Sequence, residues 1–219
     1  MAYNTGDDFM RVLFCKISSM KYYKGHCDND VPQNGGAFVN ANGYGHEEFN
    51  FMPIESEESG ELECIGFVEP KSTHGKRNSV HIEKIEGCAD MKNEDFVEGV
   101  LVIWCATRDK RETTVVGWYK DATVFRYPVE WTLNFGDGSS EDRIYNVIAK
   151  AEDSTLLPYG SRNNFKWNVP SAKYTRAYGF GQSMLWYPTE PEAKGFLERL
   201  LENIESYDGE NWLNEYPED

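Results

Sequence analysis

A run of 36 residues, 154–189, contains four cations and eight aromatic residues but no aspartate or glutamate. The whole chain has a formal net charge of −15, so the composition of this acid-free segment differs sharply from its surroundings. Cations that alternate with flat π faces are typical of sites that hold bases or phosphorylated ligands. The candidate ligand-binding residues of the segment are Arg162, Lys166, Trp167, Lys173, Arg176, Gln182 and Trp186.

Trp167 and Trp186 lie in polar or glycine-rich surroundings within the acid-free segment. Trp167 follows residues 163–166 (NNFK), and Trp186 follows residues 179–183 (GFGQS), whose glycines allow the backbone to approach a ligand. The amide of Gln182 offers both a donor and an acceptor to a base edge. Core packing is the alternative interpretation for both tryptophans, because large aromatic residues are often buried.

Acidity of the remaining chain restricts the classes of ligand. Because the acid-free segment contributes +4 to the total of −15, the other residues carry −19. Such a surface repels a polyanion unless the basic residues are gathered in one place, so general coating of nucleic acid is disfavoured. The acidity has two other interpretations: it keeps the domain soluble, or its carboxylates imitate DNA towards a nucleic-acid-binding partner.

No catalytic or metal-binding motif is recognisable. His26, His46, His74 and His81 are scattered, without the spacing that places two histidines on one metal ion. The carboxylates between residues 47 and 63 form a run of the kind that usually faces water. The sequence therefore indicates no metal and no cofactor, and it favours a binding module over an enzyme.

Length, cysteine usage and hydropathy indicate a cytoplasmic protein. With 219 residues, the chain can bury roughly 70% of its unfolded surface without disulfides. Its five cysteines show no Cys-x-x-Cys spacing, which is typical of reduced thiols. The chain offers neither a secretory signal nor the run of about 18 apolar residues that a membrane span requires.

Short apolar runs rich in β-branched and aromatic residues predict strands. A charged tip at residues 108–112 and a tight corner at residues 120–121 predict a three-stranded meander, and the glycine-rich residues 33–45 predict a loop or pocket lid. Seven short strands favour a small barrel or a strongly bent sheet. The predicted strands are residues 11–17, 62–68, 80–85, 100–107, 113–119, 122–126 and 144–151.

A C-terminal amphipathic helix follows the acid-free segment. Residues 189–192 (TEPE) supply an N-cap, a proline compatible with the first turn and the glutamate of a capping box. Apolar residues then recur at helical spacing to about Tyr207, and Gly209 provides a stop. The apolar stripe of this helix is expected to pack on the sheet.

Three runs of residues, 11–18 (RVLFCKIS), 99–104 (GVLVIW) and 114–119 (TVVGWY), give the chain a resemblance to PUA-superfamily domains of the EVE and YTH kind. The resemblance covers about residues 10–127. It implies a small bent barrel and recognition of a modified base in an aromatic cage, and it nominates Trp104, Trp118 and Tyr119 as ligand-binding residues. Residues 18–20 (SSM) lack the tryptophan that such domains often place after the first strand, so this part of the cage does not transfer.

Together these patterns predict an α+β domain with a bent or barrel-like, mainly antiparallel sheet and the C-terminal helix packed on it. Residues 1–127 form a β-rich part, and residues 128–219 add the aromatic and basic segment and the helix within the same compact domain. The functional hypothesis is a binding module for a nucleotide or a modified nucleobase, free or in nucleic acid. The alternative is an acidic interaction or inhibitor domain that imitates DNA, acting on a protein partner in phage and host conflict.

Overall fold

The computed structural model describes residues 10–34, 45–56, 59–70, 72–73, 76–77, 79–108, 112–134 and 138–218. Within them the chain forms an α+β fold with a large, mostly antiparallel sheet. The helices are α1 (Ala172–Thr175) and α2 (Lys194–Glu205). The strands are β1 (Val12–Ile17), β2 (Pro53–Glu55), β3 (Leu62–Gly66), β4 (Ser72–Thr73), β5 (Lys76–Arg77), β6 (Phe96–Arg108), β7 (Glu112–Asn134), β8 (Ser140–Lys150), β9 (Ser154–Leu156), β10 (Asn168–Val169) and β11 (Leu185–Trp186).

Strand order in the large sheet is β11-β1-β6-β7-β8-β3-β2, and β9 and β10 also pair with β7. β1 runs parallel to β6, with Val12 opposite Leu101 and Ile17 opposite Ala106, and the other pairs are antiparallel. β11 and β2 end the strand order without pairing to each other, so the described sheet is open. Of the two expected forms, a small barrel or a strongly bent sheet, the closed barrel is not formed. The end strands β11 and β2 are only two and three residues long, and such short edge strands leave few backbone groups unpaired.

β7 is longer than the sequence indicates. Residues 113–119 and 122–126 were expected to be separate strands joined at a corner, but the chain continues through them as one strand of 23 residues. Asp121 has φ of 50°, and the register against β6 shifts between Val100 and Val102, so a bulge replaces the corner. The expected boundary at residue 127 therefore falls inside β7.

Two further expectations concern loops. Residues 80–85 were expected to form a strand, but Ile82–Lys84 forms a 3-10 helix whose Ile82 is buried. Val80, Ile82 and Ile85 are buried in the turn, and such a short apolar run looks the same in sequence as a strand. The strand prediction for residues 80–85 was therefore wrong.

The glycine-rich loop predicted at residues 33–45 lies mostly outside the described residues.

The sheet has a hydrophobic core on each face because side chains alternate along its central strands. In β1, Leu13 joins one cluster with Trp104 and Tyr119, whereas its neighbour Phe14 joins a second cluster with Trp118. Leu200 and Ile204 of α2 belong to the second cluster, so the helix packs on the sheet as expected. No helix in the described part of the chain is long and apolar enough to cross a membrane.

The start of the C-terminal helix differs in detail from the expected capping box. Pro191–Ala193 forms a 3-10 turn, and α2 begins only at Lys194. Neither N-cap residue, Glu190 or Ala193, makes a side-chain capping hydrogen bond. The proline still lies in the first turn, where its missing N–H costs nothing.

Arg162 joins two distant parts of the chain from inside the protein. Its Nε donates to the carbonyl of Leu157 at 2.9 Å, and its two terminal nitrogens donate to the carbonyls of Met20 and Lys21, each at 2.7 Å. The side chain is buried, so these carbonyls depend on the guanidinium for their hydrogen bonds. Burial lowers the pKa of Arg162 to about 10, which leaves it charged at neutral pH.

Replacing Arg162 with methionine is expected to lower the free energy of unfolding by about 3 kcal/mol or more, because three buried carbonyls lose their donor. The measurement is urea unfolding of Arg162→Met beside Lys166→Met, a matched change at an exposed position. Lys166→Met should stay within about 0.5 kcal/mol of the parent protein. Equal losses in the two variants would show that Arg162 does not hold these segments together.

Arg126 makes a second buried connection, to Glu83. Its Nη1 donates to the Glu83 carboxylate at 2.7 Å, while Nε and Nη2 donate to the carbonyls of Glu94 and Met91. Burial opposes ionisation of Glu83, but hydrogen bonds from Arg126, from the Glu83 backbone and from His81 outweigh it and hold the pKa of Glu83 at about 2. The carboxylate is therefore more acidic in the folded protein than in the unfolded chain.

Because its folded pKa lies below the ordinary value of 4.5, Glu83 stabilises the fold fully above about pH 4.5 and loses this effect as the pH falls towards 2. Glu83→Gln should lower the free energy of unfolding by about 1–2 kcal/mol at pH 6, with solvent screening included. The difference from the parent should shrink towards pH 3 in urea titrations. Glu86→Gln, at an exposed position nearby, is the control, and a pH-independent difference would contradict the assignment.

Candidate ligand-binding site

The four tryptophans expected to contact a ligand lie in the hydrophobic cores. Trp104, Trp118, Trp167 and Trp186 are each at most 4% exposed. Trp104 belongs to one core cluster, and the other three belong to the cluster on the opposite face of the sheet. The structure therefore does not bring them together as one cage.

Ring contacts account for the burial of the tryptophans. Trp118 and Trp167 are 5.6 Å apart between ring centroids, and Tyr207 contacts both, at 5.4 and 5.9 Å. On the other face, Trp104 packs edge to face against Tyr119 at 5.3 Å. Tyr119 is also fully buried, so the residues nominated by the family resemblance are core residues in this fold.

Exposed residues of the acid-free segment form a different surface. Phe165 is 84% exposed and Tyr174 is 75% exposed, values far above those of the tryptophans. Lys166, Lys173, Arg176 and Gln182 are exposed too, whereas Arg162 is buried. The segment thus presents flat rings and cations to solvent, but with Phe165 and Tyr174 in place of the expected tryptophans.

Short turns in the acid-free segment determine which aromatic side chains are buried and which are exposed. Phe165–Trp167 is a 3-10 helix, which turns Phe165 outwards while Trp167 points into the core. β10 then pairs Asn168 with Thr114 of β7, and Phe180 returns to donate its N–H to the carbonyl of Pro170. Gly179 allows this return, because a Cβ there would lie 2.3 Å from that carbonyl oxygen.

Tyr159 is the point where cations from three parts of the chain meet. Relative to the centroid of its ring, the guanidinium carbon of Arg108 lies at 4.1 Å, that of Arg162 at 5.5 Å and Nζ of Lys21 at 5.9 Å. Tyr159 and Lys21 are both partly exposed. The ring therefore carries a local concentration of positive charge at the protein surface.

Arg108 is held in place beside Tyr159. Its Nη1 donates to the side-chain oxygen of Asn163 at 2.5 Å and to the carbonyl of Tyr159 at 3.3 Å. Its Nε and Nη2 make no hydrogen bond to any residue in the described ranges. The guanidinium is thus oriented by Nη1, while its other nitrogens have no acceptor among the described residues.

Sequence reasoning missed Lys21 and Arg108. Tyr159 and Asn163 belong to the acid-free segment, but Arg108 was interpreted only as part of a charged turn. Arg108 ends the apolar strand β6, and side chains at strand ends and in loops often have functional roles. This position could have marked Arg108 as a candidate. Lys21 gave no signal, since its neighbourhood in sequence contains no unusual pattern.

A small cavity lies against Tyr159. Its volume is about 30 Å³, above the roughly 10–15 Å³ that a cavity needs to hold one water molecule. The polar lining consists of Ser19, Lys21, Asn29, Asp30, Gln33 and Tyr159. Several of these side chains are partly exposed, so the cavity adjoins solvent next to the three cations.

No metal centre is formed by the residues that the structure describes, since no three of their His, Cys, Asp and Glu side chains are close enough to hold an ion. All five cysteines lie in the described ranges as free thiols, and four of them are buried. Burial raises the pKa of Cys15, Cys64, Cys88 and Cys105. These thiols are accordingly poor nucleophiles.

Comparisons with protein-family models, with curated proteins and with solved structures found no match to this chain. The resemblance to EVE and YTH domains therefore stays a prediction, and the candidate site is defined by the geometry around Tyr159.

Trp167→Ala is expected to lower the free energy of unfolding by about 3–5 kcal/mol, because it leaves a cavity beside Trp118 and Tyr207. Phe165→Ala, two residues away and exposed, should change it by no more than about 0.5 kcal/mol. Urea unfolding followed by intrinsic fluorescence measures both. A small loss in Trp167→Ala would indicate that Trp167 is free to serve a ligand rather than the core.

Proposed function

We propose that the chain binds a nucleotide or a modified nucleobase at the surface around Tyr159. The observation that carries the proposal is the convergence of Lys21 and Arg108 on a partly exposed aromatic ring at the mouth of a polar cavity. A nucleotide combines an anionic phosphate with a flat base, and this arrangement offers a partner to each.

Arg108 supplies the strongest contact in this proposal. A guanidinium can stack on a base while its edge donates to phosphate oxygens, which an ammonium group cannot do. The hydrogen bonds to Asn163 and to the Tyr159 backbone fix its plane before the ligand arrives. Fixing the side chain in advance lowers the entropy lost on binding.

Exposed residues that follow Asn163 along the chain add further rings and cations to the acid-free segment. Phe165 and Lys166 come two and three residues after it, and Lys173, Tyr174 and Arg176 are also exposed. Rings that stack bases and cations that neutralise phosphates are the recurring parts of single-strand binding surfaces. A short oligonucleotide is therefore a ligand of the same class as a free nucleotide.

A second candidate function is binding of a basic protein partner. The specific observation is that Glu198, Glu202 and Glu205 of α2 are exposed, at spacings that place them along one side of the helix. Within the described residues two ion pairs involve this row, Lys120 with Glu205 at 3.4 Å and Lys194 with Glu198 at 4.0 Å. Such a row fits the alternative of an acidic interaction domain.

A thermal-shift screen against nucleotides and short oligonucleotides, with and without modified bases, tests the first proposal. A ligand that binds only the native state raises the melting temperature by mass action. The shift should shrink between about 50 and 200 mM salt, because phosphate contacts release counterions. The matched variants are Arg108→Gln at the site and Arg199→Gln on the exposed side of α2.

Arg108→Gln should weaken binding by about tenfold or more, the effect of losing one charged hydrogen bond, while Arg199→Gln should bind as the parent does. A flat screen with a correctly folded protein would overturn the nucleotide proposal and favour the acidic interaction domain. Equal binding by the two variants would place the ligand elsewhere on the molecule.

A further inference from the structure

Asp30 is the one carboxylate among the residues that line the cavity beside Tyr159, and it is 3% exposed. Its Oδ1 accepts the backbone N–H of Lys21 at 2.5 Å, and its Oδ2 accepts that of Tyr22 at 2.8 Å. An ionised carboxylate has about four acceptor positions, so these bonds use half of them. The cavity therefore has a fixed acceptor pair with remaining capacity.

The cavity size limits what can reach Asp30. A volume of about 30 Å³ admits the polar edge of a base but not a whole purine ring. An amino group and the ring N–H beside it, at the edge of a larger ligand, fit that limit. The rest of the ligand then lies outside, where Tyr159 and Arg108 provide flat surfaces.

Neutral polar side chains complete the cavity wall. Ser19 and Gln33 are fixed relative to each other, because each donates its backbone N–H to the carbonyl of the other at 2.8 and 3.0 Å. Asn29 is positioned by a hydrogen bond of 3.1 Å from its side-chain amide to the carbonyl of Glu218. These groups place donors and acceptors around the carboxylate. Among the lining residues, the carboxylate of Asp30 is the one negatively charged acceptor for N–H donors.

We infer that the cavity selects a guanine base, with the N1–H and the exocyclic amino group of guanine donating to Asp30. This inference rests on the proposed nucleotide function and specifies its ligand. Guanine presents an N–H and an amino group side by side on its pairing edge. Adenine and cytosine place a ring acceptor beside their amino group, and a carboxylate repels that acceptor.

The other contacts fit the same ligand. Lys21 lines the cavity and Arg108 lies over the ring of Tyr159, and both cations can meet the phosphate of a guanosine nucleotide. A buried polar site rejects a ligand that leaves its acceptor unpaired, which makes such sites selective. Selection by Asp30 is therefore expected to exceed the modest preferences that stacking alone produces.

Isothermal titration of the full chain with GMP, IMP and AMP tests this inference. IMP retains the N1–H of guanine but lacks the amino group, so its affinity should fall between the other two. GMP should bind at least about tenfold more tightly than AMP, a factor that corresponds to about 1.4 kcal/mol. This ligand series needs no mutation and does not depend on the folding of any variant.

Asp30→Asn and Asp28→Asn provide the matched variants, since Asp28 is exposed and lies outside the cavity lining. Asp30→Asn should reduce the preference for GMP over AMP towards one, and Asp28→Asn should preserve it. Equal affinities for GMP and AMP in the parent protein would overturn the guanine inference while leaving nucleotide binding intact. Absence of binding by all three nucleotides would overturn the proposed function itself, and the guanine inference with it.

Discussion

The buried guanidinium of Arg162 is the constraint on which the candidate site depends. A buried charge needs hydrogen-bond partners, and here three backbone carbonyls accept from the guanidinium, which has five N–H donors. Two of these carbonyls belong to Met20 and Lys21, while the third belongs to Leu157, close to Tyr159 in sequence. The distance between Lys21 and Tyr159 is therefore set by a buried interaction rather than by the surface residues themselves.

An acidic protein can still bind an anion if the nearby charges are positive. Charges separated by more than about 8 Å are largely screened at physiological ionic strength. Around Tyr159 three cations, Lys21, Arg108 and Arg162, outnumber the one carboxylate of the cavity lining, Asp30. The pKa of Arg162 is lowered first by burial and also by the positive charge of Arg108. The net charge of −15 describes the whole surface and does not determine the field at this point.

Local patterns predicted elements better than they predicted the site. Apolar runs located β1, β3, β6 and β8, and helical spacing located α2, because these signals reflect burial on one face of a single element. Sequence alone did not distinguish core tryptophans from exposed ones. Both faces of the sheet are covered, so Trp104 of β6 and Trp118 of β7 are buried although they point to opposite faces. Lys21 and Arg108 meet Tyr159 only through long-range packing, which the order of residues along the chain does not reveal.

The turn at residues 20–22 explains why the site is formed before any ligand binds. Its N–H groups donate to the buried carboxylate of Asp30, while its carbonyls accept from the buried guanidinium of Arg162. The negative charge of Asp30 thus binds the N–H groups of this segment, and the positive charge of Arg162 binds its carbonyls. Because Asp30 also lines the cavity, the proposed ligand selection and the stability of this turn involve the same residue. An acceptor fixed in this way loses little conformational entropy when a ligand binds. Replacing Asp30 is therefore expected to alter the hydrogen bonds of the turn as well as the affinity for a ligand.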